Sequence, residues 1–197
     1  MIDIIIQNNP LQLETGPGCF SPHAVDAGTL HMLAHADIQP GEAVLDLGCG
    51  YGVVGVYAAK ITDPALVYMT DIDSVPLAYA RQNVERNNVS GVHILRGDAY
   101  EAIDRAGFDI ILSNPPYHTD FAVAKAFIEK GFNRLRIGGR MLMVAKRRDW
   151  YRNKLIAVFG GVKEYQADGY YVWIAEKRDR HYAGAMKKQN GQGRRRG

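Results

Sequence analysis

Residues 44–52 read Val-Leu-Asp-Leu-Gly-Cys-Gly-Tyr-Gly, a short apolar run that leads into a glycine-rich turn. The largely apolar residues 53–61 that follow predict a helix. A strand, a glycine turn and a helix in this order are typical of the corner at which an open parallel sheet binds a nucleotide. The stretch therefore predicts an α/β fold with a ligand crevice at the carboxyl end of its first sheet strand.

The same alternation of strand and helix continues along the chain. Apolar runs that end in turn-forming residues predict sheet strands at residues 43–47, 66–70, 92–95, 108–113 and 139–145. Helical patterns lie between them at residues 53–61, 75–87, 100–104 and 121–135. Strands that alternate with helices in this way form a parallel sheet covered on both faces.

Both ends of the chain depart from this alternation. After a helix at residues 150–159, strands 162–167 and 170–176 are joined only by Asp168-Gly169, a loop too short for a parallel crossover. At the other end, strands 4–7 and 11–15 flank the turn signal Asn8-Asn9-Pro10, and a helix follows at residues 26–35. We thus expect a Rossmann-like, seven-stranded, mostly parallel sheet with an antiparallel last strand, helices on both faces and a small N-terminal hairpin.

Length and composition indicate one globular domain. The 197 residues are 47% hydrophobic and 23% charged, which argues against a disordered, fibrous or disulfide-dense chain. We expect a single domain over residues 1–182, with residues 1–40 as its N-terminal hairpin and helix extension, and a basic, disordered tail over residues 183–197. No apolar run approaches the ~20 residues of a membrane-spanning helix, and no secretory signal is evident. The sequence therefore predicts a cytoplasmic protein with Cys19 and Cys49 reduced.

Charge is distributed unevenly along the chain. Residues 1–133 contain 7 Lys and Arg against 16 Asp and Glu, whereas residues 134–197 contain 17 against 5. Two clusters account for most of the excess: residues 134–154, which include Lys146-Arg147-Arg148, and residues 177–197. Such clusters suit a polyanion, because Lys and Arg that neutralise phosphates release counterions. A salt-bridged surface and a solvated tail are the alternative interpretations.

Asp46 indicates which ligand the glycine turn binds. Residues 50–55 also fit the G-x-G-x-x-G pattern of dinucleotide enzymes. A carboxylate two residues before Gly48 would repel a pyrophosphate, but it would attract a ligand that carries an ammonium and a sulfonium and no phosphate. Those are the charges of S-adenosylmethionine, which Gly48 and Gly50 would allow to approach the backbone closely.

Carboxylates also follow the next two strands. Asp71 ends the second strand, where it can accept hydrogen bonds from both ribose hydroxyls, and Ile72 is placed to lie against the adenine. Asp98-Ala99 ends the third strand and offers an acceptor for the adenine amino group. The alternative role for any one such aspartate is a helix cap, as at Asp73. Three aspartates in series beside a glycine turn favour a cofactor site.

The fourth sheet strand leads to Asn114-Pro115-Pro116-Tyr117-His118, where the chemistry becomes specific. An exocyclic amino group of a base or an amide is a poor nucleophile because its lone pair is delocalised. The Asn114 side-chain oxygen and the Pro115 carbonyl can accept its two hydrogens and favour a pyramidal nitrogen aimed at a methyl group. Tyr117 offers a face for base stacking, Pro116 stiffens the loop, and His118 can hydrogen-bond or stack on the substrate. A rigid turn with a buried tyrosine is the alternative.

These two motifs together resemble those of class I S-adenosylmethionine-dependent methyltransferases that modify amino nitrogens. Within that class, residues 18–21, residues 26–29 and His118 resemble the small-domain methyltransferases related to the bacterial 16S ribosomal RNA guanine-N2 enzymes. The resemblance covers residues 11–176 and implies S-adenosylmethionine as cofactor and RNA as substrate. Larger ribosomal members carry an additional N-terminal domain similar to the catalytic one. They also tend to have phenylalanine at the position of Tyr117, whose presence here moves the pattern toward N6-adenine and glutamine-N5 enzymes.

The sequence thus predicts an RNA methyltransferase that acts on the exocyclic amine of a base, with guanine N2 of ribosomal RNA favoured. Its target would be single-stranded or flipped. Lys146, Arg147 and Arg148 would hold phosphates, because they follow the fifth sheet strand at the same edge. Methylation of adenine N6 or of a protein glutamine amide is the alternative chemistry, and a dinucleotide-binding or non-catalytic RNA-binding module is the non-methylating alternative. No metal site is predicted, because the histidines show no metal spacing with the cysteines.

Overall fold

The computed structural model describes residues 1–116 and 121–184. Within these residues the strands are β1 (Ile2–Ile6), β2 (Asn9–Leu13), β3 (Val44–Leu47), β4 (Val67–Asp71), β5 (His93–Arg96), β6 (Phe108–Ser113), β7 (Leu135–Ala145), β8 (Lys163–Ala167) and β9 (Tyr170–Glu176). The α-helices are α1 (Ala27–Leu33), α2 (Val53–Ala59), α3 (Ser74–Arg86), α4 (Phe121–Arg134) and α5 (Arg148–Phe159). A 3-10 turn at Pro64–Leu66 precedes β4.

Strands β3 to β9 form one sheet in the order β5-β4-β3-β6-β7-β9-β8. Neighbours from β5 to β7 are parallel, whereas β9 is antiparallel to both β7 and β8. This arrangement confirms the predicted Rossmann-like, seven-stranded sheet with an antiparallel last strand. From β3 the chain adds β4 and β5 on one side of the sheet and then crosses back to add β6 on the other side. At this reversal of strand order a crevice opens at the carboxyl ends of β3 and β6.

Apolar side chains cover both faces of this sheet. Successive strand residues point to opposite sides: Val44 belongs to the apolar cluster that includes residues of α1, α2 and α3, and Leu45 belongs to the cluster that includes residues of α4 and α5. Trp173 of β9 is fully buried in the second layer, as expected for a core tryptophan. The two buried layers hold the strands rigidly, which fixes the loops at their carboxyl ends relative to one another.

The N-terminal hairpin is present, but its turn lies earlier than predicted. Gln7 and Asn8 form the turn with φ of +46° and +68°, while Asn9 and Pro10 already belong to β2. Positive φ at both central residues is the requirement of a type I′ hairpin turn, and Asn tolerates this conformation better than most side chains. Pro10 therefore lies near the start of strand β2 and not in the turn.

Asn83 of α3 and Asn87, which caps the end of α3, complete the hydrogen bonding of β2. The Gln12 amide donates to Asn87 Oδ1 at 3.0 Å, and Asn87 Nδ2 donates back to the Gln12 carbonyl at 2.7 Å. One turn earlier, Asn83 Nδ2 donates to the carbonyls of Glu14 and Tyr51, both at 2.9 Å. Both asparagines are buried, and together they act as a substitute for a neighbouring strand.

Two further predictions on secondary structure were wrong. Residues 100–104 form successive turns instead of a helix, because the chain enters them through Ala99 at φ +53°. Strand β7 begins at Leu135 instead of residue 139, since Gly138 and Gly139 exchange backbone hydrogen bonds with Lys177 and extend the pairing around a bulge. Among the described residues, no helix is both long enough and apolar enough to cross a membrane.

Candidate active site

The glycine turn joins β3 to α2 at the crevice. Gly48, Gly50 and Gly52 all have positive φ, between 54° and 88°, which L side chains rarely adopt. A Cβ at Gly50 would meet no atom within 4 Å, so the backbone there borders open space. The Gly50 amide donates to Asp71 Oδ2 at 2.8 Å, which ties the turn to the end of β4.

Asp46 lies beneath this turn and is only 3% exposed. Its Oδ2 accepts a hydrogen bond from the Gly55 amide at 2.9 Å, and no Lys, Arg or His among the described residues pairs with it. Burial raises the pKa of Asp46 to about 7; the Gly55 hydrogen bond lowers it, and the nearby Asp71 raises it further. A cation in the crevice would lower this pKa and hold the carboxylate in its charged form.

Asp71 and Ile72 form the next part of the edge. The second carboxylate oxygen of Asp71 accepts from the Asp73 amide at 3.0 Å, so the side chain is fixed in place by two backbone amides. Ile72 is 65% exposed, an unusual situation for an apolar residue at a sheet edge. Asp73 caps α3 by accepting from the Val75 amide, as its alternative role predicted. Asp98 is exposed after β5, next to the buried Ala99.

Residues 16–21 pack between α3 and the glycine turn, and sequence reasoning did not assign them to the site. A Cβ at Gly16 would lie 2.3 Å from the Tyr79 hydroxyl, and one at Gly18 would lie 3.1 Å from Val75 Cγ1. The Ser21 carbonyl lies 3.5 Å from the Tyr51 hydroxyl at the glycine turn. The segment therefore runs from α3 to the glycine turn. Its glycines allow this close packing, and they are the sequence feature that could have identified it.

Asn114 follows β6, and its side-chain amide has a defined orientation. Nδ2 donates to Asp26 Oδ2 and to Thr29 Oγ1, both at 2.9 Å. A carboxylate accepts but does not donate, so the nitrogen of the amide must face Asp26. Pro115 is buried and Pro116 is exposed, whereas Tyr117 and His118 lie outside the described residues.

Asp26 accepts hydrogen bonds from three partners at this edge, and sequence reasoning gave it no role. Besides Asn114, its Oδ2 accepts from the Thr29 amide at 3.0 Å and thereby caps α1. Its Oδ1 accepts from the Tyr170 hydroxyl at 2.9 Å. These partners are 3, 88 and 144 residues away along the chain, so no local pattern could have revealed them.

The three basic residues after β7 are exposed, and each lies over an aromatic ring. Lys146 Nζ is 4.8 Å from the Tyr170 ring centre, Arg147 Cζ is 5.4 Å from that of Phe121, and Arg148 Cζ is 5.9 Å from that of Tyr171. Arg148 also pairs with Glu164 at 2.8 Å and with Asp149 at 3.6 Å. Phe121 in turn stacks on Trp150 with ring centres 4.3 Å apart. Arg148 thus matches the salt-bridged alternative, whereas Arg147 forms no ion pair within the described part of the chain.

No cluster of three or more potential metal ligands is present in residues 1–116 and 121–184. Cys19 and Cys49 are free and buried, and burial raises the pKa of the Cys49 thiol well above its ordinary value. A protonated thiol is a poor nucleophile, so Cys49 serves packing at the glycine turn.

Comparison with known proteins finds relatives of similar sequence. Ribosomal RNA small subunit methyltransferase C of Pseudomonas putida (strain W619) is 32% identical over 177 residues, which are 87% of this chain and 53% of the relative. The protein of the same name from Sodalis glossinidius is 36% identical over 152 residues, 75% of this chain and 43% of the relative. The chain therefore spans about half the length of the curated relatives it matches.

Solved structures agree with this result. The T. thermophilus 16S rRNA N2 G1207 methyltransferase, determined in complex with AdoMet and guanosine, superposes with a TM-score of 0.82 at 29% identity over 90% of this chain and 50% of that one. A Pyrococcus furiosus methyltransferase shares the fold, with a TM-score of 0.69 at 22% identity. The sequence model for the methyltransferase small domain matches residues 9–174, which include the glycine turn and Asn114. The chain thus belongs to the methyltransferase small domain family.

Proposed function

We propose that this chain is an S-adenosylmethionine-dependent N-methyltransferase that acts on an exocyclic amino group of a base in RNA, with guanine N2 of ribosomal RNA as the target. The observation that carries this proposal is the Asn114 amide, whose nitrogen is held by Asp26 and Thr29 at 2.9 Å beside the crevice. The proposal agrees with the names of the curated relatives and with the guanosine bound by the T. thermophilus neighbour.

The crevice fits the charges and shape of S-adenosylmethionine. Gly50 leaves open space at the turn, Asp71 presents carboxylate oxygens for the ribose hydroxyls, and Ile72 exposes an apolar surface for the adenine. Asp46, which pairs with no described cation, supplies a negative charge when the bound cation lowers its pKa. Gly48, Asp98, Ala99 and Asn114 complete the set of proposed cofactor contacts. The cofactor, when bound, supplies an electrophilic methyl group on a sulfonium.

The residues after β6 prepare the amino group of the substrate. With Nδ2 of Asn114 directed at Asp26, the side-chain oxygen is left on the opposite branch of the planar amide. This oxygen and the Pro115 carbonyl accept the two amino hydrogens, which favours a pyramidal nitrogen with a localised lone pair. The N–C bond would form as the bond between sulfur and the methyl group breaks, and the methylated nitrogen would then release a proton to solvent, so no dedicated general base is needed. Positioning provides much of the rate enhancement. Tyr117 is proposed to stack on the base, with Pro116 and His118 beside it.

The surface beside this site suits a polyanion. Strands β6 and β7 are parallel neighbours in register at Ser113 and Met143, so Lys146 follows β7 at the edge where Asn114 follows β6. Lys146 and Arg147 are proposed to contact phosphates of the strand that carries the target base, while Arg148 is held mainly by Glu164. In this proposal residues 1–182 are the catalytic domain, and the basic tail at 183–197 adds non-specific affinity for RNA.

The proposal is tested by supplying S-adenosylmethionine with a labelled methyl group to separated RNA, ribosomal-subunit and protein fractions. We expect label in ribosomal RNA and, after digestion, in N2-methylguanosine. The matched control is Asn114→Ala, which should bind the cofactor normally but lose most turnover. Label that appears only in protein as N5-methylglutamine would replace the RNA proposal with the glutamine alternative. The absence of label from every fraction would refute methyl transfer.

A further inference from the structure

Asp26 receives hydrogen bonds from three separate parts of the fold. Its Oδ2 accepts from the Thr29 amide at 3.0 Å and from Asn114 Nδ2 at 2.9 Å, while its Oδ1 accepts from the Tyr170 hydroxyl at 2.9 Å. The donors belong to α1, to the loop after β6 and to β9. One carboxylate therefore links the N-terminal segment to two strands of the main sheet at the edge where methyl transfer is proposed.

The orientation of the Asn114 amide depends on this carboxylate. An asparagine amide has two nearly isosteric orientations, related by a half-turn that exchanges its oxygen and its nitrogen. In the observed orientation both Nδ2 hydrogens have acceptors, on Asp26 and Thr29. In the reversed orientation the Asn114 oxygen would face the Asp26 carboxylate at hydrogen-bond distance. Two acceptors would then repel each other, and both would lose a charge-assisted hydrogen bond.

Asp26 is itself held rigidly. Gly28 leaves room for the Tyr170 ring, because a Cβ at position 28 would lie 2.5 Å from two ring carbons. Lys146 Nζ lies 4.8 Å from the centre of the same ring. The ring can therefore reach the start of α1 and donate its hydroxyl to the carboxylate. A rotation of the Asp26 side chain would break all three hydrogen bonds together.

We propose that Asp26, supported by Thr29 and Tyr170, is a positioning residue that keeps the Asn114 oxygen, rather than its NH2 group, directed at the amino group to be methylated. This inference rests on the proposed function and assigns a task to residues that the proposed function does not place among the cofactor or substrate contacts. If the amide were reversed, the NH2 group of Asn114 would face the NH2 group of the substrate. The substrate amine would then lose an acceptor and gain a repulsive contact.

The test compares variants that preserve the helix cap. Serine caps as well as aspartate, so Asp26→Ser keeps the Thr29 contact but is too short to hold Asn114 and Tyr170. We expect kcat to fall by up to about 100-fold, the scale of a misplaced reacting group, with an unchanged Kd for S-adenosylmethionine. Asp26→Asn retains an acceptor oxygen for Asn114 and should recover most of this loss. Asp63→Ser is the matched control, because Asp63 caps the 3-10 turn through the Ala65 amide and should leave kcat unchanged.

A double-mutant cycle separates positioning from a general loss of structure. In an Asn114→Ala background, Asp26→Ser should lower kcat no further, since the group that it positions is absent. An equal fold-loss with and without Asn114, or an unchanged kcat in Asp26→Ser alone, would overturn the proposal.

A nuclear magnetic resonance experiment tests the same proposal without measuring activity. The side-chain amide signal of Asn114, assigned by its loss in Asn114→Ala, should exchange slowly with water in the wild type and faster in Asp26→Ser. Equal exchange rates would refute the positioning role even if methyl transfer is found. Conversely, a wild type that transfers no methyl group but shows the expected exchange difference would refute the proposed function alone.

Discussion

Replacing Asp46 with asparagine should remove a large part of the pH dependence of folding near neutrality. Burial raises the pKa of Asp46 from 3.8 to about 7, and the Gly55 hydrogen bond offsets only part of this rise. Between these two pH values the folded chain keeps a proton that the unfolded chain releases. The free energy of unfolding therefore falls as pH rises from about 4 to about 7, and this contribution is constant above that range.

The size of the effect follows from the shift in pKa. About three pH units at ~1.4 kcal/mol each correspond to roughly 4 kcal/mol of stability between the two limits. Asp46 is 3% exposed, so solvent screens this contribution little. Asparagine does not titrate, and its oxygen can still accept from the Gly55 amide. The NH2 group of the asparagine is left without a partner, which lowers the free energy of unfolding by an amount that does not depend on pH. The prediction therefore concerns how the stability difference between variant and wild type changes with pH.

Urea unfolding of both proteins at about pH 5, 6, 7 and 8.5 measures this difference. The stability of Asp46→Asn relative to the wild type should increase by roughly 1.4 kcal/mol per pH unit up to about pH 7 and then level off. Asp63→Asn, at an exposed aspartate, is the control and should track the wild type at every pH.

Parallel stability curves for Asp46→Asn and the wild type across the whole range would refute the reasoning, because they would mean that Asp46 is ionised in the fold throughout.

The same variant should bind S-adenosylmethionine more weakly than the wild type at about pH 8.5, where only the aspartate carries a charge to attract the ligand.

Three further predictions concern the ligand crevice and the RNA surface. Asp71→Ala should weaken S-adenosylmethionine binding by about 1–3 kcal/mol in a calorimetric titration, and an unchanged Kd would remove Asp71 from the cofactor site. Arg147→Gln should weaken RNA binding and reduce the slope of log K against log salt concentration by about one. Arg148→Gln should have less effect, because Arg148 is paired with Glu164. Filter binding over a salt series would measure both variants, and a larger effect at Arg148 would contradict the assignment. Deletion of residues 183–197 should reduce RNA affinity and flatten the salt dependence, while identical slopes would place the tail outside the interface.

The parts of the molecule that local sequence predicts are those in which neighbouring residues decide the structure. Apolar runs bounded by glycine or proline gave the sheet strands, and β6 and β9 agree with their predicted bounds to the residue. The glycine turn and the loop at Asn114 also lie at the predicted edge, because the carboxyl ends of parallel strands meet there.

Long-range hydrogen bonds are the part that sequence could not supply. The sequence placed Asp26 in the first turn of the predicted helix 26–35, whereas it caps α1, and nothing near it in the chain indicates Asn114 or Tyr170. Asn83 and Asn87 likewise read as polar positions on a helix, although both are buried against β2. Residues 100–104 were mistaken for a helix because a pattern of apolar residues does not record the positive φ at Ala99.

The double hydrogen bonding of Asn83 has a consequence for how the molecule opens. One amide group donates to Glu14, just beyond β2, and to Tyr51 in the glycine turn. Detachment of the hairpin would leave this buried amide half-satisfied and weaken the hold on the turn, so the two segments belong to one cooperative unit of local unfolding. Ligand that tightens the turn should slow amide hydrogen exchange in β2, which lies outside the crevice.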